Sequence, residues 1–324
     1  MTPTHPSKAS QKKQKGLNKK SDYQNRFGIG EWYGRSFTEL SPAERRFYAS
    51  IQLDEEKPSQ PCPFLSKPGK SVPCWKTGGI CSLRLYERSK ATGFVRINPD
   101  RSTYRTTCPS RFEQDNTVYR WVGEVLLGSK KAIATGEIPF LQRVPRMGDE
   151  NPQTAREVGR IDNVLVLPRA SSLKWCPVEK QAVYFSGKKM AHEFKYILNF
   201  NEDGLPFPQF NRRPDYRSSG PKRLLPQLQV KVPTLRTWGK KMAVIVDEDF
   251  FKELGHINRA NDLSNAEVVW FVVRYVEQIA GRVRLEPSQS FMTTLDESIK
   301  GLVAAVPLPL TEFEEKIRAK LSKS

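Results

Sequence analysis

Short apolar runs alternate with helical patterns through most of the chain, and this order limits the folds that the chain can adopt. Runs rich in β-branched residues occur in RIDNVLVL, CPVEKQAVYF, KKMAVIVD and AEVVWFVVRYV. Helical patterns occur in DNTVYRWVGEVLLG, GKKMAHEFKYIL and EDFFKELG, the last of which Asp247 is placed to cap. Strands that alternate with helices are typical of an α/β core. The sequence therefore predicts an α/β fold, and it contains no internal repeat.

Two further helices are predicted near the ends of the chain. SPAERRFYASIQL has a capping box from Ser41 to Glu44, and it predicts a helix to about residue 51. Near the C-terminus, Thr311 and Glu314 indicate a helix start. Apolar residues spaced along one side of that segment then predict a capped amphipathic helix.

The charge of the chain bears on its partners rather than on its fold. The 324 residues carry a formal net charge of +18 with a pI near 9.7. Nucleic acid is the commonest polyanionic partner, and an anionic membrane surface is the alternative. The longest apolar run, VVWFVV at 268–273, is too short to span a membrane. No apolar segment follows the basic N-terminus, so we expect a cytoplasmic protein with reduced cysteines and no membrane partner.

Most of the excess charge lies in two segments. Residues 1–26 have a net charge of +6 and few apolar side chains, and they predict a disordered basic arm. Residues 211–241 have a net charge of +8 and contain four prolines. This composition predicts an irregular DNA-binding loop with a strand in it. The alternative for both segments is an ordinary solvated surface.

Residues 54–112 contain four cysteines and little apolar periodicity, so the fold of this segment needs a stabilising cross-link. The cysteines are Cys62, Cys74, Cys81 and Cys108, with gaps of 11, 6 and 26 residues, and turn residues flank them. Four thiolates favour tetrahedral zinc or iron. The alternative is four unconnected thiols. The fifth cysteine, Cys176, lies in an apolar run and is predicted to be a buried small side chain.

Acidic side chains in two of the apolar runs predict a second metal site. If 160–167 and 176–185 form a hairpin, Asp162 and Glu179 meet at one end of the sheet. Two carboxylates there would bind a hard divalent cation, which could assist phosphodiester hydrolysis. Gln181 would share a strand face with Glu179, while Lys180 would point the opposite way. The alternative is a solvated hairpin face, because Glu-x-Gln after an Asp is common by chance.

The four-cysteine segment CPFL…C…GGIC…TCPSRF upstream of IDNVLV…VEKQAVYFSG resembles the NotI type of restriction endonuclease. The resemblance runs from about Cys62 to the apolar run at 266–277. It implies an N-terminal tetracysteine metal-binding domain that is followed by a PD-(D/E)xK nuclease core. In this core a mixed central sheet is flanked by helices. We therefore expect the metal-binding domain over 27–115, and the core with its DNA-binding loop and C-terminal helix over 116–324.

The resemblance also implies the roles of individual residues. The four cysteines would hold one structural iron or zinc, and Asp162, Glu179 and Gln181 would form the catalytic set with Mg²⁺. Glu150 in the segment GDE is a fourth catalytic candidate, with which Asp149 competes. Candidate DNA-contacting residues are Arg212, Arg213, Arg217, Arg223 and Arg236 for bases, and Lys240 and Lys241 for phosphates.

The activity expected from these features is type II restriction. A homodimer would cut double-stranded DNA at a palindromic site, leaving 5′-phosphate and 3′-hydroxyl ends, alongside a cognate DNA methyltransferase. Two alternatives remain open from the sequence. One is a repair or mobile-element nuclease with little sequence preference, and the other is a non-catalytic tetracysteine DNA-binding protein.

Overall fold

A computed structural model describes residues 22–54, 56, 60–99, 104–142, 157–168, 172–278, 282–305 and 307–322. The described residues form fifteen strands: β1 Tyr23–Trp32, β2 Arg35–Ser36, β3 Ile80–Ser89, β4 Val95–Ile97, β5 Arg105–Thr106, β6 Ile133–Ala134, β7 Ile138–Gln142, β8 Glu157–Ile161, β9 Asn163–Leu167, β10 Lys174–Lys180, β11 Phe185–Ser186, β12 Arg213–Pro214, β13 Met242–Asp247, β14 Val268–Glu277 and β15 Val283–Thr293. They also form eight α-helices: α1 Pro42–Leu53, α2 Thr117–Leu127, α3 Ala191–Leu198, α4 Tyr216–Ser219, α5 Leu225–Thr237, α6 Glu248–Lys252, α7 Leu295–Val303 and α8 Leu310–Leu321. No described helix has the length and apolar character needed to cross a membrane.

The core of the molecule is a mixed six-stranded sheet in the order β15-β14-β13-β10-β9-β6. β13 pairs in parallel with β10 and with β14, and the remaining pairs are antiparallel. β13 is buried along its whole length because it lies at the centre and is covered on both faces. This arrangement confirms the predicted α/β class and the central mixed sheet.

Helices cover both faces of this sheet, and side-chain alternation along the strands separates two apolar layers. Val244 and Val246 pack with residues of α5, α6 and α7 on one face, which we call the α5 face. Ala243 and Ile245 pack with residues of α2 on the other, the α2 face. Cys176 is buried in the α2 layer, as predicted. The three layers leave the strand ends as the places where polar side chains can gather.

A second sheet, formed by β1 to β5, precedes the core. β3 pairs with β1 at nine positions between Tyr23 and Trp32, and it is buried along most of its length. The sequence analysis missed this strand because Ser82, Arg84 and Glu87 interrupt its apolar residues without a clear period and are themselves buried. Residues 23–26 lie in β1, so the prediction of a disordered arm over 1–26 is wrong for these four residues. Residues 1–21 lie outside the described part of the chain.

The N-terminal sheet and the core are joined by buried polar contacts. Arg111 forms an ion pair with Glu31 of β1 at 2.9 Å, and its Nη2 donates to the carbonyl oxygen of Val283 in β15 at 2.9 Å. Phe194 and Ile197 of α3 pack in the apolar cluster of the N-terminal sheet, although they follow the core strand β10 in sequence. The N-terminal sheet therefore contacts elements that lie on both sides of residue 115, the boundary predicted from the sequence.

Residues 216–237 are helical, whereas the sequence predicted an irregular loop with a strand. α4 continues through a π-helical turn at Gly220–Leu224 into α5. Proline lacks a backbone N–H and interrupts the regular helical ladder, which fits the π-turn beside Pro221. Burial of Leu228, Val232 and Leu235 against the sheet stabilises the helix despite its prolines. Only the two residues of β12 form a strand within 211–241.

Two of the three predicted helix caps are present in the structure. The capping box of Ser41 and Glu44 is present in α1, and Asp247 caps α6 by accepting the N–H of Phe250. Helix α8 exists, but Pro309 precedes its first residue and Thr311 lies inside it, so the predicted cap is wrong. No described residue of α8 is buried.

Candidate active site and cysteine cluster

The β9–β10 hairpin brings Asp162 and Glu179 together, which confirms the predicted hairpin. Val178 pairs with Asn163 in the antiparallel register, so the next residues, Glu179 and Asp162, follow opposite each other. The N–H of Lys180 donates to Asp162 Oδ2 at 3.0 Å. The nearby backbone of Asp162 lowers the pKa of the Glu179 carboxyl slightly. The hairpin backbone therefore holds the Asp162 carboxylate beside Glu179.

A lysine from helix α5 completes this arrangement on the α5 face. Lys231 Nζ lies 2.5 Å from Glu179 Oε1, and both side chains are buried, with residue exposures of 1% and 4%. The pKa of Glu179 is raised to about 7, first by burial and then by the nearby Asp162, while Lys231 opposes both effects. The sequence analysis missed Lys231 because residues 211–241 were read as a loop. If this segment had been predicted to be a buried helix, Lys231 would have been its only lysine on the inward-facing side.

Lys180 faces the opposite side of the sheet from Glu179, as strand alternation predicted. Its Nζ lies 2.5 Å from Glu113 Oε1. Next to this pair, the hydroxyl of Tyr119 donates to Asn163 Oδ1 at 2.8 Å. Glu113 precedes α2, and no sequence motif marked it as a neighbour of the site. The α2 face thus adds a carboxylate, a phenol and an amide beside the two hairpin carboxylates.

Gln181 lies one residue beyond the end of β10. Its N–H donates to the carbonyl oxygen of Ile245, which continues the pairing with β13. Its side-chain amide donates to the carbonyl oxygen of Ala182 at 2.6 Å, and the residue is buried. The other catalytic candidate, Glu150, lies outside the described residues.

The four cysteines fall into two pairs. Cys62 and Cys74 lie on adjacent extended segments, where the N–H of Cys62 donates to Val72 O and that of Cys74 donates to Gln60 O. The N–H of Cys108 donates a hydrogen bond to the carbonyl oxygen of Cys81 in β3 at 3.3 Å.

Side chains that follow Cys74 join the two pairs. Lys76 Nζ donates to Thr107 O at 2.8 Å, and Trp75 Nε1 donates to Ser110 Oγ at 3.2 Å. These contacts place all four cysteines in one part of the N-terminal region.

The cysteines are largely buried and lie close to one another. Cys62, Cys81 and Cys108 are at most 4% exposed. Burial raises the pKa of Cys74, and the neighbouring Cys62 and Cys108 raise it further. Yet within the described ranges no group of three or more His, Cys, Asp or Glu side chains is arranged to hold a metal ion. The predicted tetracysteine site therefore stays a prediction.

Several of the predicted DNA-contacting residues already have protein partners. Arg212 is buried, and its Nη1 lies 2.8 Å from Glu193 Oε2. Arg236 pairs with Glu267 at 2.8 Å, and Lys241 Nζ donates to the carbonyl oxygen of Ser264 at 3.1 Å. Arg212 is therefore engaged in an internal ion pair, whereas Arg236 and Lys241 make contacts at the surface.

The other predicted DNA-contacting residues are less constrained. The Arg223 guanidinium stacks 3.6 Å from the ring centroid of Tyr184, and Lys240 Nζ lies 5.0 Å from that of Trp175. Arg213 and Arg217 are exposed. The roles of all seven residues in DNA contact stay predictions.

Comparison with known proteins identifies the family. The family described as Restriction endonuclease NotI matches residues 50–285, which is 236 of the 324 residues. The matched range contains all four cysteines of the cluster, the β9–β10 hairpin and Lys231. A search of curated proteins finds no match to the chain. The chain belongs to the NotI restriction endonuclease family, and it is a type II site-specific deoxyribonuclease that acts on double-stranded DNA.

Proposed function

We propose that the chain hydrolyses DNA with Mg²⁺ in a PD-(D/E)xK core, where Asp162 and Glu179 hold the ion and Gln181 contacts the attacking water or the phosphate. The observation that carries this proposal is the meeting of the two carboxylates at the end of the β9–β10 hairpin. Asp162 is half-buried and Glu179 is buried, so Asp162 is the more accessible of the two carboxylates to a DNA backbone.

The donor set of the site fits Mg²⁺. Mg²⁺ is commonly held by one or two carboxylates together with substrate phosphate oxygens, so a pair of carboxylates is sufficient. The raised pKa of Glu179, caused by burial and then by Asp162, indicates that negative charge is unfavourable there. A divalent cation would relieve that cost. When bound, it would polarise the phosphoryl group and neutralise the leaving oxygen.

The chain's own residues would prepare the site for this chemistry. Lys231 favours the ionised form of Glu179 and fixes its orientation through their 2.5 Å contact. The N–H of Lys180 holds the Asp162 carboxylate, while the Lys180 side chain is turned away towards Glu113. Gln181, beside these groups, supplies an amide where many nuclease cores have a lysine.

We further propose that Cys62, Cys74, Cys81 and Cys108 hold one structural iron or zinc. Four sulfur donors in a region of buried thiols suit a tetrahedral ion, and such a site has no open position for water. The ion would stabilise the connection between β3 and the segment around Cys62 and Cys74, which contains little regular structure.

The assembly on DNA follows from the activity. We propose a homodimer on a palindromic site, because the two-fold axis of a dimer matches the symmetry of such a site. A cognate DNA methyltransferase is its expected functional partner. Sequencing the ends of the fragments would show whether the site is palindromic, and light scattering on a cleavage-inactive complex would give the number of chains.

A plasmid digest tests the catalytic proposal. The wild type with Mg²⁺ should give discrete fragments, and EDTA should stop the reaction. Asp162→Asn keeps the size of the side chain but removes its charge, and it should abolish cleavage while duplex binding in EDTA persists. Cleavage by Asp162→Asn at the wild-type rate, or wild-type cleavage in EDTA, would contradict the proposal.

A further inference from the structure

A cleft of about 420 Å³ lies beside the candidate active site, between the cysteine-bearing segment and the core. One wall contains Phe64 and Lys67, which follow Cys62 in sequence. The other wall contains Arg120 of α2 and Lys130 and Lys131, which precede β6. None of these cations was among the DNA-contacting residues predicted from the sequence.

The floor of the cleft touches the candidate active site. Asn163, Tyr119 and Glu113 all line it. Asn163 directly follows Asp162 in the chain and is bonded to Tyr119. The cleft therefore leads from solvent to within one residue of a proposed metal ligand.

The rim of the cleft is positively charged. Lys67, Arg120, Lys130 and Lys131 are exposed, whereas Glu113, the one acidic residue among the described residues of the lining, forms an ion pair with Lys180. Lys130 lies 3.3 Å from Glu124, but both side chains are largely exposed, and such a pair is weak. The four cations can therefore turn towards an anionic ligand without breaking a strong ion pair.

We infer that this cleft binds the phosphate backbone of the DNA strand that is cut, on the α2 side of the scissile bond. This inference rests on the proposed function, because it takes the Asp162–Glu179 pair as the reaction centre. Cations around a cleft whose floor contains Asn163, the neighbour of Asp162, can contact successive phosphates, which position the duplex but do not read its sequence.

The test uses the double variant Arg120→Ala with Lys131→Ala, two exposed positions where alanine should be tolerated. Binding to a 30-base-pair duplex of random sequence is measured by fluorescence anisotropy in EDTA over a range of salt. Each phosphate contact contributes about 0.9 to the slope of log affinity against log salt. Loss of two contacts should lower the slope by about 1.8 and the affinity at 0.1 M salt about 60-fold.

The matched control is Lys252→Ala with Lys300→Ala, which removes two exposed cations from α6 and α7 on the opposite face of the sheet. The inference requires the slope to fall for the cleft variant and to stay near the wild-type value for the control. It is overturned if the cleft variant keeps the wild-type slope, or if the control lowers the slope equally. A gel run on the same samples shows whether the duplex stays intact in EDTA. Cleavage there would contradict the metal proposal, whereas an unchanged slope would contradict only the assignment of the cleft.

Discussion

Glu179→Gln should change the free energy of unfolding more favourably at pH 8 than at pH 5, although it should remove activity. The wild-type carboxylate is buried, lies beside Asp162 and is only partly compensated by Lys231 at 2.5 Å. Burial and then Asp162 raise its pKa from 4.5 to about 7. Glutamine has nearly the same shape but carries no titrating proton.

The sign and size follow from proton linkage. The folded protein binds the Glu179 proton more tightly than the unfolded chain does, so the raised pKa makes wild-type stability fall as the pH rises from 4.5 through 7. The whole shift corresponds to about 3 kcal/mol, and most of it falls between pH 5 and pH 8. The variant lacks this loss.

The assay is urea unfolding in EDTA, followed by tryptophan fluorescence, for both proteins at both pH values. Other titrating groups cancel in the comparison, including Asp247, whose pKa burial raises to about 6. At pH 5 the wild-type Glu179 is itself mostly protonated, so Lys231 lacks an ionised partner in both proteins, and the raised pKa of Glu179 already includes the pairing with Lys231 that the wild type has at pH 8. If the stability difference between variant and wild type is the same at pH 5 and pH 8, the reasoning about Glu179 is refuted.

Four further predictions concern other parts of the molecule. Lys231→Met should lower the free energy of unfolding at pH 8 by about 3–5 kcal/mol, because it leaves a buried carboxylate unpaired; urea unfolding checks this, and a loss that is as large at pH 5 would contradict it. Gln181→Leu should reduce the single-turnover cleavage rate strongly while Gln181→Lys keeps part of it, and a wild-type rate for Gln181→Leu would exclude a role for the amide. Cys81→Ser should lower the iron or zinc content in elemental analysis and cost several kcal/mol of stability; purified wild type without either metal would remove the basis for the cluster. Deletion of residues 1–21 should weaken binding to all duplexes and flatten its salt dependence without moving the cut site, and a changed cut site would mean that this segment reads bases.

Local sequence patterns predicted the hairpin and its faces correctly. Alternation along CPVEKQAVYF separated Glu179 from Lys180, and the structure bonds them to partners on opposite faces of the sheet. The apolar run at 242–247 predicted a buried strand and Asp247 as the helix cap, and both are present. These features depend on neighbours in sequence, so a single chain is enough to predict them.

Features that depend on distant partners could not be predicted in the same way. Lys231 lies 52 residues after Glu179, and only the packing of α5 on the sheet brings the two together. The prolines of residues 211–241 indicated a loop, but burial of the helix outweighed them. Strand β3 has no clear alternation of apolar residues, because its polar side chains are buried by partners such as Glu31, which accepts a hydrogen bond from Ser82 at 2.8 Å.

The family decides between the activities that the sequence left open. Membership of the NotI restriction endonuclease family assigns site-specific cleavage of double-stranded DNA, rather than a non-specific nuclease or a non-catalytic binding protein. It does not by itself assign chemistry to single residues, which the hairpin contacts support instead.

The most direct test of the central claim compares adjacent residues on opposite faces of β10. Single-turnover cleavage with Mg²⁺ is measured at saturating enzyme for Glu179→Gln and for Lys180→Met. Loss of a ligand to the metal should slow cleavage at least about 10³-fold, the equivalent of about 4 kcal/mol. Lys180→Met should stay within about tenfold of the wild type, because its side chain points to Glu113. Retained activity in Glu179→Gln together with a large loss in Lys180→Met would place the chemistry on the other face of the strand and contradict the account.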